Sequence, residues 1–254
     1  MLFDRFGLED KVAIVTGAGR GLGRTISLAL ANAGASIVAV ARTEQEIQDT
    51  TSAVTSLGRD GLAFVLDVRN SESVERLVKN VMDSFGHIDI LVNNAGGDFG
   101  IRKPATETSD EEWSQVLSTN LTGAFYCTRA VGRQMLLQRW GRIINITCLA
   151  GARGSVNQAA LAAAKGGLMQ FTQALALEWA RSGVTVNALG IGWLQRQGGV
   201  DQDSETTTRL RRAIPARRFG LPSDLETMLI YLASTASNYL TGQTVWIDGG
   251  ILCR

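Results

Sequence analysis

The sequence predicts an α/β protein of one domain, built on a doubly wound parallel sheet of about seven strands. Three observations lead there. Short β-branched runs alternate with longer helical stretches along the whole chain. The runs are apolar throughout rather than at every second residue, as in strands covered on both faces. No internal repeat, low-complexity tract or Pro/Gly/Ser linker divides the 254 residues. Alternation of this kind, joined by right-handed crossovers, closes into a parallel sheet with helices on both sides.

The candidate strands, in order, are Val12–Thr16, Ile37–Ala41, Leu62–Leu66, Ile88–Asn93, Arg142–Thr147, Val184–Ala188 and Thr244–Asp248. Between them the spacing predicts helices over Leu22–Ala33, Glu44–Leu57, Ser71–Ser84, Glu111–Arg139, Asn157–Arg181 and Ser223–Ala233. The least regular part, residues 190–215, holds a Gly-Gly pair at 198–199 and then Arg209, Arg211 and Arg212. A connection of that length in a compact domain reads as a substrate lid. The arginines suit either a grip on an anionic substrate or a solvated helix face.

Composition bounds the function. A chain of this length buries roughly three quarters of its unfolded surface, so it needs no metal or disulfide to be stable. Its formal charge of +1 gives no electrostatic case for nucleic acid or an anionic membrane. Cys127, Cys148 and Cys253 form no CxxC pair, and with His87 the sole histidine a metal site is not expected. The opening MLFDRFGLEDK mixes charges into its apolar residues, unlike a signal-peptide core. No apolar run approaches the ~18 residues of a membrane span, so a cytoplasmic protein is expected. His87, just ahead of a strand, is expected to be an exposed loop residue.

The stretch VAIVTGAGRGLGRTISLAL sets Gly17, Gly21 and Gly23 between a buried strand and a helix. Glycine allows positive φ and lets backbone approach a phosphate closely. The helix start, with its free N–H groups and partial positive charge, is a seat for pyrophosphate. In this Rossmann-like setting the turn is expected to bind a dinucleotide through Gly17, Arg20, Gly21, Leu22 and Gly23. An acid ending the second strand would bind the adenosine ribose and repel a 2′-phosphate. The sequence has Ala41 and then Arg42, with Arg20 nearby in the turn. Two guanidiniums suit a phosphate dianion, which favours NADP(H) over NAD(H).

Taken together, these motifs resemble the classical short-chain dehydrogenase/reductase family over nearly the whole chain. TGAGRGLG is similar to that family's nucleotide loop. The LDV carrying Asp67 and Val68 is similar to its adenine-contacting turn, and NNAG at 93–96 to its central-strand motif, with Asn94, Ala95 and Gly96 at the cofactor. STNLTGAF with Asn120, RIINIT, AAAKGGL around Lys165, VTVNAL and TGQTVWIDGG extend the likeness. The resemblance implies an oxidoreductase in which a tyrosine passes a proton to the substrate oxygen. A lysine lowers that tyrosine's pKa and holds the nicotinamide ribose, a serine bonds the substrate oxygen, and an asparagine supports them.

Asn120 and Lys165 match the family's catalytic set. Four residues before Lys165 the tyrosine position is Leu161, and thirteen before that the serine position is Cys148. Leucine has no proton to give, and a thiol is a weak donor. Losing a positioned acid–base group costs about 10²–10⁴ in rate. Ile191 replaces the usual proline after VNAL, and Arg196 falls near the position of a threonine that contacts the carboxamide. Cys148, Leu161 and Trp193 are the candidate substrate pocket, Trp193 either covering it or packing the lid. Cys148 is also weighed as a nucleophile activated by Lys165.

Three functions stay open. The first is an NADP(H)-dependent reductase or dehydrogenase of a small carbonyl or alcohol, with a water organised by Asn120 as proton carrier. The second is a catalytically retired NADP(H)-binding or regulatory protein, and the third a non-redox lyase or isomerase. The wide apolar faces of the two longest helices, by resemblance, imply a homotetramer or homodimer.

Overall fold

The computed structural model describes residues 3–195 and 205–253, so Arg196 and the glycines at 198 and 199 lie outside the described residues. Seven parallel strands form one sheet in the order β3-β2-β1-β4-β5-β6-β7. They are β1 (Val12–Thr16), β2 (Ser36–Ala41), β3 (Gly61–Val65), β4 (Ile90–Asn93), β5 (Gly141–Cys148), β6 (Val184–Ile191) and β7 (Thr244–Ile247). The order reverses between β1 and β4, which leaves a crevice at the carboxyl ends of those strands.

The apolar runs are explained by burial on both faces. Within β1, Ala13 and Val15 join one core cluster, while Val12 and Ile14 join the other. The first cluster is closed by α1 (Gly21–Asn32), α2 (Glu44–Ser56) and α9 (Ser223–Ala233), through Ile26, Leu30, Ile47, Val54, Leu225 and Leu229. The second is closed by α3 (Ser71–Phe85), α5 (Gly123–Gln138) and α7 (Ala159–Trp179), through Leu77, Val81, Val131, Met135 and Leu175. A polar ladder crosses the second layer. Asn93 and Asn145 are register partners on β4 and β5, and Asn93 Nδ2 donates to Asn145 Oδ1 at 2.8 Å. Asn145 Nδ2 in turn donates to Thr172 Oγ1 on α7 at 2.9 Å.

Three sequence expectations are corrected. The helix expected over Glu111–Arg139 is two helices, α4 (Asp110–Leu117) and α5, joined by a π turn over Ser118–Thr122. A π turn inserts one residue into the helical register, which a 3.6-residue periodicity does not reveal. His87 is only partly exposed, with Nδ1 2.6 Å from Asp89 Oδ2. The strand ending expected at Ala188 runs on to Ile191, paired with β7 through Ile247. Within the irregular 190–215 stretch, α8 spans Glu205–Ala213. Among the described residues no helix is long and apolar enough to cross a membrane.

Candidate active site

The carboxyl ends of β1 and β4 are stitched into one frame. Thr16 Oγ1 accepts from the backbone N–H groups of Asn94 and Ala95, each at 3.0 Å. The Asn94 side chain returns Nδ2 to the carbonyls of Thr16 and Gly17, at 2.9 and 3.3 Å. Gly23 then packs so closely that a Cβ there would run into the Gly17 carbonyl and the Asn94 amide. Only glycine lets α1 begin this near the strand end. The N-cap of α1, Arg20, makes no side-chain cap bond, so the first N–H groups of a twelve-residue helix face the turn uncapped by it. A turn of this kind, built here by Gly17, Gly21, Leu22 and Gly23, can seat an anionic pyrophosphate.

The groups expected at the adenosine end lie nearby. Arg20 is exposed, with Nε 3.9 Å from Glu46 Oε1 on α2, and Arg42 is exposed just past β2. Asp67 is held by a two-point pair with Arg69, Nε to Oδ1 at 3.0 Å and Nη2 to Oδ2 at 2.6 Å. The Arg69 guanidinium keeps the Asp67 carboxyl below its ordinary value, and Arg42 adds to the effect. Val68 is buried against the position where a Gly123 Cβ would stand, which seats the start of α5.

Past Asn94 and Ala95, the Gly96 backbone turns beside Lys165. A Cβ on Gly96, whose φ is +156°, would overlap Asn120 Oδ1 and come within 3.5 Å of Lys165 Nζ. Asn120 is buried on the π turn and spends its amide on backbone. Nδ2 donates to Gly97 O and Val116 O, both at 2.9 Å, and Oδ1 accepts from Gly97 N at 3.0 Å. Its visible work is to clamp the loop after β4. Lys165, 6% exposed on α7, donates from Nζ to the Ile146 carbonyl at 2.9 Å. Burial lowers its pKa below the ordinary lysine value, while the neighbouring Cys148 opposes that shift.

Cys148 ends β5 and Leu161 lies one helical turn before Lys165. The structure brings both into one apolar cluster with Val116, Ala150, Ala160 and Ala164, edged by Ile101 and Leu121. Leu161 is 8% exposed, so the surface it presents is small and dry. Each of the chain's three tyrosines lies outside that cluster: Tyr126 and Tyr231 edge the two sheet-face cores, and the exposed Tyr239 lines a cavity at the amino-terminal ends of β5 and β6. Trp193 lies in a different cluster, with Leu149, Ile214, Ile251, Phe219 and Trp246. It lines a cavity of about 230 Å³ with Arg218, Asp224 and Asp248. Thr147, buried, turns Oγ1 toward the Lys165 carbonyl at 3.5 Å, away from the Cys148 side.

Two polar residues at this mouth escape the sequence reading. Asp98 Oδ2 accepts from Gln158 Nε2 at 3.3 Å, across 60 positions of sequence. The available signals were an acid two residues beyond NNAG and a glutamine one helical turn before Leu161.

The adh_short_C2 family model, described as enoyl-(acyl carrier protein) reductase, matches residues 17–252. The 2-dehydro-3-deoxy-D-gluconate 5-dehydrogenase of Escherichia coli (strain K12) is 37% identical over 257 residues, spanning 100% of both chains. The 3-oxoacyl-(acyl-carrier-protein) reductase of Vibrio cholerae is 39% identical over 244 residues, 96% of this chain and 98% of the relative. Among solved structures, a gluconate 5-dehydrogenase from Burkholderia cenocepacia in complex with NADP and tartrate superposes with a TM-score of 0.94. It is 33% identical and is covered over 100% of both chains. An NAD⁺-bound xylitol dehydrogenase gives a TM-score of 0.90 at 30% identity, over 96% of this chain and 99% of that one.

Proposed function

Because the chain belongs to the short-chain dehydrogenase/reductase family, we propose that it is an NAD(P)(H)-dependent oxidoreductase of small alcohols or carbonyls. NADP(H) is the preferred cofactor, and the site works without the usual tyrosine and serine. One observation carries the reading. The Gly17–Gly23 turn packs on Asn94, the Gly96 backbone runs on beside Asn120 and the buried Lys165, and next to Lys165 positions 148 and 161 hold a thiol and a leucine.

When bound, the nicotinamide supplies the hydride donor or acceptor. The residues of the chain do the rest. The α1 N-terminus and Arg20 would hold the phosphates, and Arg42 with Arg20 would pair with a 2′-phosphate, Arg20 giving up its long contact with Glu46 to do so. The Lys165 ammonium, which donates to the Ile146 carbonyl, would also donate to the ribose hydroxyls. Leu161 would shield the reacting carbon from bulk water. The proton would reach the substrate oxygen through a water that accepts from Lys165 and donates to the remaining lone pair of Asn120 Oδ1, which already accepts from Gly97 N, both Asn120 amide hydrogens being committed to backbone. Cys148 gives that oxygen a weak donor at most.

The first test mixes the purified protein with NADPH and a carbonyl panel, and with NADP⁺ and the matching alcohols. The reading expects slow turnover above the uncatalysed rate, with NADPH bound more tightly than NADH. Cofactor binding with no turnover points instead to a retired NADP(H)-binding or regulatory protein, the alternative that the closed packing around Leu161 favours. Turnover indifferent to the cofactor's redox state points to a lyase or isomerase.

The same reading extends to assembly and surroundings. Leu137 on α5 and Leu177 on α7 are 80% and 84% exposed, and Phe125 is 39% exposed, apolar surface suited to pairing in a homotetramer or homodimer. Residues 190–215 serve as the substrate lid, with Trp193 at its root. All three cysteines are free, which suits the reducing cytoplasm.

A further inference from the structure

We infer that the cavity at the amino-terminal ends of β5 and β6, across the sheet from the cofactor frame, is a second binding site, and that it takes a flat aromatic carboxylate. Arg139 is its charged contact and Tyr239 its stacking face. The inference does not rest on the oxidoreductase reading. The cavity measures about 490 Å³, room for a small organic molecule. Its lining includes two guanidiniums, Arg139 and Arg142, and two aromatic rings, Trp140 and Tyr239, and it includes no carboxylate.

Arg142 is the buried charge of this cavity. It donates to the carbonyls of Gly141, Gly183 and Ser234 and to Asn238 Oδ1, all of them neutral acceptors. Burial pulls its guanidinium down to about 10, with no acid opposing the shift, so it stays protonated at neutral pH. A buried cation with no counter-charge is costly, and an anion in the cavity supplies one. Arg139 is the strained residue. It ends α5 in the left-handed region, with φ +56° and ψ +31°, where glycine ordinarily stands. Its exposed guanidinium reaches the Arg181 carbonyl only at 3.5 Å, so the fold gains little from the side chain. Strain kept without a structural return points to a use in binding. Gly183 sets the two cations side by side: a Cβ there would overlap the Arg139 carbonyl, and its own carbonyl accepts from Arg142 Nη1 at 3.3 Å. Trp140 is already engaged by cations, with Lys11 Nζ 4.2 Å and Arg142 Cζ 4.4 Å from its ring centroid. Tyr239 is fully exposed, which leaves its ring open to stacking. A guanidinium beside an open ring matches a carboxylate carried on an aromatic system.

The experiment titrates the full chain with naphthoate, read by its fluorescence, with and without NADP⁺, and with naphthalenemethanol as the uncharged analogue. Naphthoate is expected to bind equally well with NADP⁺ present or absent, and at least about tenfold more tightly than the alcohol, the scale of one charge-assisted hydrogen bond. Arg139→Gly removes the cation and suits the left-handed backbone. It is expected to weaken naphthoate at least about tenfold while the thermal midpoint holds. Tyr239→Ala changes a fully exposed side chain and is expected to weaken naphthoate and the alcohol together. It carries the test should Arg139→Gly fold poorly. No naphthoate binding, equal binding of the alcohol, displacement by NADP⁺, or unchanged affinity in either variant would overturn the inference. A chain that takes naphthoate as described but binds no NADP⁺ leaves this site standing and defeats the oxidoreductase reading alone.

Discussion

Cys127, Cys148 and Cys253 sit in three environments that chemistry can tell apart. Burial pushes the Cys127 thiol up to about 12, Cys148 is half-buried near Lys165, and Cys253 is exposed. Iodoacetamide followed by peptide mass spectrometry is expected to label Cys253 first and Cys148 next, with Cys127 untouched until the chain unfolds. NADPH is expected to slow only the Cys148 reaction. Labelling of Cys127 in the native protein would contradict the burial. Lys165 gives a second prediction at this scale. Its ammonium is disfavoured by burial, so the native chain sheds that proton below the unfolded lysine value of about 10.4. Between the two values the unfolded chain binds more protons, so this group makes stability rise with pH while cofactor binding weakens. Lys165→Met is therefore expected to lower NADPH affinity at least about tenfold, read by fluorescence titration, with little loss of thermal midpoint. A variant that binds as wild type would remove Lys165 from the cofactor site. Leu161, Cys148 and Lys165 were legible in sequence because the family resemblance sets their positions by short, local spacings within one helix and one strand. Asp98 and Gln158 were not, because their meeting depends on a loop folded back over a distant helix start.

At the scale of elements, the decisive piece is the turn after β4 and the helix that clamps it. Gly96 can bring backbone beside Lys165 only because it lacks a Cβ, and Asn120 fills the space. Gly96→Ala is expected to push the Asn120 amide off Gly97 and to cut cofactor affinity and turnover together. Thermal unfolding should show a loss of about 1–3 kcal/mol, the scale of one strained position with its broken bonds. Unchanged binding in that variant would mean the Asn120 clamp is not part of the site. Sequence periodicity found the apolar stripe of residues 111–139 but not the π turn that places Asn120, since one inserted residue leaves the average spacing almost unaltered. Strand existence was legible because the central strands, buried on both faces, are mostly apolar, with a few polar residues such as Asn93 and Asn145 paired to one another. Strand ends were less so: pairing with β7 carries β6 on to Ile191, and backbone pairing leaves no mark on composition.

For the whole molecule, the sheet order and its reversal between β1 and β4 assemble at one end what the sequence scatters from Gly17 to Lys165. The opposite end is built for rigidity. Arg142, 2% exposed at the start of β5, gives its guanidinium to the carbonyls of Ser234, Gly141 and Gly183 and to Asn238, tying three segments together. That division lets the binding end change its chemistry while the scaffold persists, and it is why the family was legible and the reaction was not. The central claim is that the cofactor frame is intact while the side-chain proton donor is missing. Its most direct test is the NADPH oxidation rate of the wild type against the double variant Leu161→Tyr and Cys148→Ser, under saturating cofactor and one shared carbonyl substrate. The account predicts slow but measurable wild-type turnover, raised about 10²–10⁴-fold in the variant with NADPH affinity unchanged. Equal rates in the two proteins, or a wild type that binds no nicotinamide cofactor, would contradict it.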